Sequence, residues 1–451
     1  MNKVCFPSHA LRRRVSIGAL LLLSAVSTFA AQKPNVVVIL ADDLGWMDVV
    51  SYAARVHKVK PEACFYETPH LDRLAKEGMT FTQAYSAALC SPARAALLTG
   101  QYPARFGFLT ASGHTKGSYY SRKTEPPKGY HIHDRKKTTA DQVDPALGYI
   151  APAFTYVLQS GQPQDEYDAL TIAEALKGYR SAMLGKWHLG ALGLEGYQPK
   201  DHGFEELAYF DHGGSPYFNW REKWEEGGKA GKDLGIEYLT DDLTERAVRF
   251  IRECDQNREP FFLYFAQFAV HSPRQAKQED YDYFENKSTR GWNGHSMPEY
   301  AGVLRGLDNS VGRVVDELNK LGIAENTLLI FMSDNGGINR ANATSNLPLR
   351  EGKAKLYEGG VRVPFIAYWP GSIEPATLCD VPIGVEDLFP TILRLAGQAD
   401  DLTDLDLDGQ SILPLLKDPT NRAKQYTRDT FFWHKAGAPR SALRKGDHKL
   451  I

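Results

Sequence analysis

Cysteine is scarce in this chain, with five residues in 451 and none of them paired at two-residue spacing. That excludes a disulfide-stapled scaffold and the thiolate zinc sites that CxxC pairs build. An excess of either charge is also missing. Lysine and arginine number 53 against 55 aspartate and glutamate, a formal net charge of −2. Such a balance leaves no basic footprint for generic nucleic-acid binding. There is no internal repeat. The apolar run Val15 to Val26, interrupted by Ser16, Gly18 and Ser24, is too short to span a membrane comfortably. What is present is ordinary globular composition, 43% hydrophobic and 24% charged, which excludes wholesale disorder. The length suits one large α/β domain or two ordinary ones.

Arg12, Arg13 and Arg14 precede the apolar run, and Thr28 and Ala30 are small residues suited to cleavage before Ala31. Residues 1–30 therefore read as a signal peptide, and the protein as exported, periplasmic or secreted, with no stable membrane insertion after cleavage. No cysteine follows the run, so a lipid anchor is not indicated. Cleavage removes Lys3, Cys5 and the three arginines and leaves 49 basic against 55 acidic residues, a net charge of −6. Export permits disulfides, and one bridge among Cys64, Cys254 and Cys379 stays open on the sequence.

The mature chain starts with a continuous apolar run, Asn35 to Leu40, of the kind buried on both faces of a parallel sheet. Similar runs are Ala182–Leu184, Phe261–Ala266, Thr327–Met332 and Phe365–Trp369. Helical patterns lie between them, at Leu170–Lys177, Leu243–Glu253 and Val311–Leu321. The alternation predicts an α/β fold, a mostly parallel central sheet with helices on both faces, over residues 31–425. Residues 110–164 and 275–298 are polar and weakly periodic and read as insertions. Residues 426–451 read as the start of a small C-terminal antiparallel sheet subdomain. Its strands are Ser441–Arg444 and His448–Ile451, and an ending inside an apolar strand implies that the subdomain is incomplete.

Four of the predicted strands are followed at once by chemically capable residues. After Leu40 come Asp42 and Asp43, and after Leu184 come Lys186 and His188. After Phe265 come Gln267 and His271, and after Met332 come Asp334, Asn335, Gly336 and Gly337. Each motif alone has a plain reading: a helix cap, a turn, a loop histidine. Open α/β sheets bind ligands beyond the carboxyl ends of their strands, so the four together form one rim. Asp42, Asp43, Asp334 and Asn335 offer only hard oxygen ligands, which suit Ca²⁺ or Mg²⁺. Three carboxylates together repel one another without a cation. With Lys186, Lys353, His188 and His271 beside a cation, the rim becomes a receptor for a dense anion.

A fifth element is Cys90-Ser91-Pro92-Ala93-Arg94, followed by a strongly helical stretch to Gly100. Pro92 suits a first turn, which puts Cys90 just before a helix N-terminus. Free N–H groups there favour a low-pKa thiolate, and a buried structural cysteine is the commoner plain reading of such a position.

The segment Cys90-x-Pro92-x-Arg94 with Leu97, Thr99 and Gly100 resembles the signature of the type I sulfatases. The resemblance covers nearly the whole mature chain. It includes Pro34–Gly45, Thr68–Ala75, Gly185-Lys186-Trp187-His188-Leu189-Gly190, Ser333–Gly337, Gly352-Lys353, Tyr357–Pro364 and Asp387–Thr391. It implies the alkaline-phosphatase-like fold and hydrolysis of sulfuric esters. It also implies that a maturation enzyme converts Cys90 to Cα-formylglycine, whose hydrate is the nucleophile. Asp42, Asp43, Asp334 and Asn335 would hold one Ca²⁺ or Mg²⁺, with an oxygen of converted Cys90 completing the shell. Arg94 would stabilise the hydrate, and Lys186 and Lys353 would grip sulfate. His188 would be the base that breaks down the sulfated intermediate. His271 would bind sulfate and protonate the leaving alcohol.

Rivals of the same fold are phosphatases and phosphodiesterases, which use Ser or Thr with paired zinc, and a formylglycine phosphonate hydrolase. Cys90 and the Asp/Asn ligands favour sulfate. A non-catalytic glycan-binding relative is expected to have lost several of these residues, and all are present. The expected substrate is a sulfated carbohydrate, with aryl sulfates as artificial ones. Trp187, Tyr217, Phe218, Trp220 and Trp292 either stack on sugar rings or pack in the core. Lys355 reads as a solvated neighbour of Lys353, and His131 and His133 as loop residues rather than a second metal site.

Overall fold

The computed structural model describes Met1 and residues 33–106, 109–111, 119–120, 149–150, 170–189, 198–225, 227–340, 342–402, 405–420, 425–435 and 440–451. Apart from Met1, the expected leader lies outside the described residues, as do His131 and His133 and most of the first insertion.

The central sheet has ten strands: β1 (Asn35–Ala41), β2 (Met79–Tyr85), β3 (Arg180–Lys186), β4 (Glu206–Phe210), β5 (Gly228–Lys229), β6 (Phe261–Ala266), β7 (Thr327–Ser333), β8 (Arg362–Tyr368), β9 (Thr377–Cys379) and β10 (Ile383–Gly384). Their order is β9-β2-β8-β7-β1-β6-β3-β4-β5, with β10 also on β2. The run β7-β1-β6-β3-β4 is parallel throughout, so the carboxyl ends of five strands meet at one rim. β8 is antiparallel to both its neighbours, and β5 is an antiparallel edge.

Among the described residues, the helices of eight residues or more are α1 (Val50–His57), α2 (Pro69–Glu77), α3 (Cys90–Thr99), α4 (Leu239–Asn257), α5 (Gln278–Glu285), α6 (Pro298–Leu321) and α7 (Leu388–Leu395). Side chains alternate across a strand, and here both faces are covered. Val37, Ile39, Leu263, Phe265, Leu329 and Phe331 join a core with α1, α2, α4 and α6. Val36, Val38, Leu40, Phe262, Tyr264 and Ile330 join one with α3 and α7. This two-sided burial explains why the central strands are unbroken apolar runs.

The helices differ from the sequence expectation at their ends. The pattern at 170–177 gives only a short helix, Ile172–Ala175, started by a Thr171–Glu174 capping box. The other two lengthen to α4 and α6, and α6 begins with Pro298 in its first turn and ends at Gly322 in the left-handed region. The second insertion is not featureless: it holds α5, whose Phe284 is buried in the core. The C-terminal strands β11 (Thr430–His434), β12 (Ser441–Lys445) and β13 (His448–Leu450) form a separate antiparallel sheet. Cys64, Cys254 and Cys379 are separate buried thiols, so the bridge left open on the sequence is not formed.

Pro364 has no N–H to give to the sheet, and the β8–β2 register shifts between Val363 and Phe365. Tyr52 of α1 repairs the irregularity. Its hydroxyl lies 2.8 Å from both Phe81 O and Phe365 O and accepts the Phe365 N–H at 2.6 Å. Tyr52→Phe leaves these buried groups short of a partner and should destabilise the fold by about 1–3 kcal/mol. Denaturant unfolding measures this, and an unchanged midpoint would show that the hydroxyl is dispensable.

Candidate active site

Asp42 and Asp43 follow β1 directly, and Asp334 and Asn335 follow its parallel neighbour β7. Asp43 takes a left-handed conformation, φ 62°, and its N–H points at Asp334 Oδ1, 3.2 Å away. The Asn335 amide donates to Asp43 Oδ1 at 2.8 Å. Ser333 Oγ accepts from Leu44 N and donates to Asn335 O, which ties the two strand ends together. Gly336 permits the closest approach. A Cβ there would sit 1.8 Å from Gly359 O, in the short helix Glu358–Val361 that follows Lys353. The glycines of Asp-Asn-Gly-Gly are thus a packing requirement.

Each buried carboxylate has a cation. Lys186 Nζ lies 2.6 Å from Asp42 Oδ2, Lys353 Nζ 2.7 Å from Asp43 Oδ1, and Arg94 Nη2 2.8 Å from Asp334 Oδ2. The second arm of Arg94 donates to Lys186 O. Burial pushes Asp42 up to about 8; Lys186 opposes the rise, while Asp334 and Asp43 add to it. Burial also acts on Asp43, but Lys353, His271 and Lys186 outweigh it and hold that carboxyl down at about 2. Burial opposes the charge on Lys353, yet Asp43, Cys90 and Asp42 hold its proton more tightly than usual.

The cluster retains unused ligand capacity. Asp42 Oδ1 and Asn335 Oδ1 are buried oxygens without a hydrogen-bond donor. Ligand atoms of Asp42, Cys90 and Asp334 lie within 4.8 Å of one another. Orphaned hard oxygens in such a group fit a hard divalent cation. Asp43 stands slightly apart, with its oxygens on Lys353 and Asn335.

Cys90 is the first residue of α3 and is buried. Its Sγ lies 3.5 Å from His188 Nδ1, and His188 has φ 55°. The expected low-pKa thiolate is not found. Burial raises the thiol pKa, Asp334 and Asp42 raise it too, and Lys186 and Lys353 only partly compensate. A helix N-terminus cannot outweigh full desolvation among carboxylates. His271 is likewise pushed down to about 4 by burial and by Lys186 and Lys353, against Asp43. Its Nδ1 lies 2.7 Å from Ser272 O and its Nε2 3.7 Å from Asp43.

Cys90, His188, His271 and Lys353 line one cleft of about 490 Å³, together with His212 and Lys223. A second cavity, about 480 Å³, is lined by Tyr85, Tyr102, Phe431 and Trp433 and contains none of the chemistry. Sequence reading missed His212 and Lys223, although His212 obeys the rule that found the others: it closely follows a sheet strand, β4. Gln267 turns away from the rim and donates to Ser310 Oγ at 2.9 Å. Trp187, Tyr217 and Trp220 are core residues rather than sugar platforms, Trp187 on one face of the sheet and the other two on the opposite face, where Phe218 also packs. Trp292 and Lys355 are exposed.

The sulfatase family model matches residues 34–398. The chain is 34% identical over 420 residues to mouse (Mus musculus) N-acetylgalactosamine-6-sulfatase, covering 88% of this chain and 69% of that protein. It is 32% identical over 425 residues to human (Homo sapiens) arylsulfatase A, covering 88% and 70%. The crystal structure of Ps i-CgsB in complex with k-i-k-neocarrahexaose superposes with a TM-score of 0.71 at 30% identity, covering 93% of this chain and 83% of that one. A family match over most of the chain, on a sheet whose strand ends gather the signature residues, shows that the chain belongs to the sulfatase family and is a sulfuric ester hydrolase.

Proposed function

We propose that this chain is a formylglycine-dependent sulfatase that removes sulfate from a sulfated carbohydrate with one Ca²⁺ or Mg²⁺ ion, and accepts aryl sulfates as activated surrogates. The observation that carries the reading is the setting of Cys90. Its sulfur is buried beside His188 and grouped with Asp42 and Asp334, on a cleft shared with His271 and Lys353. A sugar substrate is supported by the name of the mouse relative and by the neocarrahexaose bound to Ps i-CgsB. Export through a leader at 1–30, conversion of Cys90 by a maturation enzyme, a catalytic domain over 31–425 and a C-terminal subdomain from 426 belong to the same proposal.

Conversion of Cys90 would supply a hydrated aldehyde, with one hydroxyl to attack sulfur and a second whose collapse expels sulfate. A cation held by Asp42, Asp43, Asp334 and Asn335 would supply positive charge at the sulfate oxygens. The remaining work falls to side chains already in place. Lys186 and Lys353 hold fixed charge where the transferring group's oxygens gather negative charge. His188, at 3.5 Å from the atom at position 90, is placed to take its proton. His271 faces the cleft and is placed to protonate the leaving oxygen. A sulfate ester beside the ring raises its proton affinity from the low value set by burial and the lysines. Arg94, pinned to Asp334 and Lys186 O, holds the acid cluster beneath position 90.

Peptide mass spectrometry of active protein should find an aldehyde at position 90. Active enzyme in which every Cys90 is still a thiol would exclude the mechanism. Cys90→Ser should keep the fold and lose multiple turnover, because a serine ester has no second hydroxyl.

Metal analysis should find one calcium or magnesium per chain. Chelation should abolish activity and lower the melting temperature together, and Asp334→Ala should lose the ion. Stoichiometric zinc, or activity and melting temperature unmoved by chelation, would count against this ligand set.

Lys186→Ala and Lys353→Ala should lower the rate on every sulfate ester by about 10²–10³, the usual loss of one electrostatic stabiliser. His271→Ala should instead impair sugar sulfates far more than nitrophenyl sulfate, whose phenolate leaves without a proton. Equal losses on both substrates would make His271 a sulfate-binding residue only.

A further inference from the structure

We infer that Ser86 is a positioning residue of this site: its hydroxyl holds the acidic residue Asp334 against the segment that carries Cys90. The inference rests on the sulfatase reading above and names a determinant of ion binding and turnover that lies outside the reacting residues.

The sheet itself creates the need. Cys90 comes shortly after β2, and Asp334 directly after β7. β8 lies between those strands and is antiparallel to both, so β2 and β7 run the same way and end at the same rim. They share no hydrogen-bond ladder with each other. Two strand spacings, roughly 10 Å, separate them. The intervening ladder is irregular close to the rim, where its register shifts between Val363 and Phe365. Yet ligand atoms of Cys90 and Asp334 lie within 4.8 Å of one another. That juxtaposition requires links that cross over the start of β8.

Ser86 supplies such a link. It follows β2 directly, is buried, and sends its three polar groups to three different elements. Its Oγ donates to Asp334 O at 2.6 Å. Its N–H donates at 2.8 Å to O of Val361, the last residue of the short helix that leads into β8. Its carbonyl accepts from Trp433 Nε1 of β11 at 2.8 Å. Two residues further on, Ala88 O accepts from Ala354 N at 2.7 Å, next to Lys353. The approach to Cys90 is therefore fastened to Asp334, to the lysine loop and to the C-terminal sheet before α3 begins.

The other supports of Asp334 belong to the site. Arg94 donates to its Oδ2, the Asp43 N–H points at its Oδ1, and its own N–H donates to Ala41 O, the residue before Asp42. Ser86 differs from these. It touches the main chain of Asp334 and lines the second cavity rather than the cleft. Removing its hydroxyl moves Asp334 without removing a charge, a ligand or a proton donor. Outer hydrogen bonds that orient ligand residues typically change ion affinity or activity by about 10- to 100-fold when lost.

The test uses the matured full chain, with the aldehyde content at position 90 measured for every variant. Calcium and magnesium affinities are measured by calorimetry on ion-depleted protein, and rates on a sugar sulfate and on nitrophenyl sulfate are expressed per aldehyde. Ser86→Ala should weaken ion binding by about tenfold. It should slow both substrates by the same factor, unlike His271→Ala, because no proton donor is lost. Trp433→Phe keeps the ring packing but removes the N–H on Ser86 O, and should give a smaller loss in the same direction. Thr171→Ala is the control: it breaks the Thr171–Glu174 capping box. It should lower the melting temperature and leave ion affinity and rates unchanged. Wild-type affinity and rates in Ser86→Ala overturn the inference, as does a Thr171→Ala protein that loses as much ion affinity as Ser86→Ala. If Ser86→Ala does not fold, Trp433→Phe decides, and an unchanged ion affinity in it overturns the inference. Wild type that carries the aldehyde but hydrolyses no sulfate ester overturns the sulfatase reading instead, and the ion affinities still decide the role of Ser86.

Discussion

Three carboxylates are buried together at the ends of two adjacent parallel strands, and the rest of the site is arranged to make that tolerable. Removing one charge from water costs several kcal/mol even after relaxation, and like charges at this range add to it. The chain answers with three cations, Arg94, Lys186 and Lys353, one on each carboxylate. Those cations come from α3, β3 and the loop before β8, so charge balance requires the whole sheet to be assembled. An ammonium has three N–H donors. Lys353, which also lines the cleft, can keep its carboxylate and still offer a donor there. One of the groups that make the acidic cluster tolerable thus also lines the cleft.

The strand ends would not hold such a cluster unaided. Ser86 Oγ donates to Asp334 O at 2.6 Å, and Trp433 Nε1 donates to Ser86 O at 2.8 Å. A short chain of hydrogen bonds thus runs from the small C-terminal sheet to the backbone of an acidic residue of the site. Lys449 of β13 reaches Glu358 at 2.8 Å, and Glu358 also accepts from Tyr85. Glu358 adjoins Gly359 and Gly360, the pair on which Gly336 packs. On the other side, buried Asp48 accepts from Gly45 N, Thr344 Oγ1 and Tyr300 OH, which binds the turn after Asp43 to the loop after Asn335. Satisfied buried networks of this kind are stiff, and stiffness is what placement of reacting atoms to fractions of an ångström requires.

The most buried parts were the most legible. Strands β1, β6 and β7 have both faces covered, so the residues between their ends are apolar and the run stands out. β2, Met79–Tyr85, was not read, because Thr80 and Thr82 interrupt the pattern although both are buried. The direction of β8 is invisible locally, since parallel and antiparallel pairing place the same apolar side chains in the same layers. Site residues were legible where a strand signalled its own end, as at Asp42, Lys186 and Asp334. His212 was hidden because the short strand before it, Glu206–Phe210, starts with an exposed glutamate and lacks a β-branched residue. Helix-terminal logic failed at Cys90 for a different reason. It weighs a partial charge at a helix end but not the burial of the sulfur, which the sequence does not display.

The two tiers of the site differ in how they can hold an anion. Lys186, Arg94 and Asp42 are excluded from solvent, so their mutual interactions are strong and their geometry is fixed. Lys223 is exposed and His212 only partly buried. Charges there are screened, and each contributes modestly. Chemistry thus depends on buried strand ends with little latitude for change. Exposed turns around the cleft can vary without disturbing the carboxylate cluster. The turn after β4 combines the two: its aromatic stack is anchored in the core, while His212 lines the cleft.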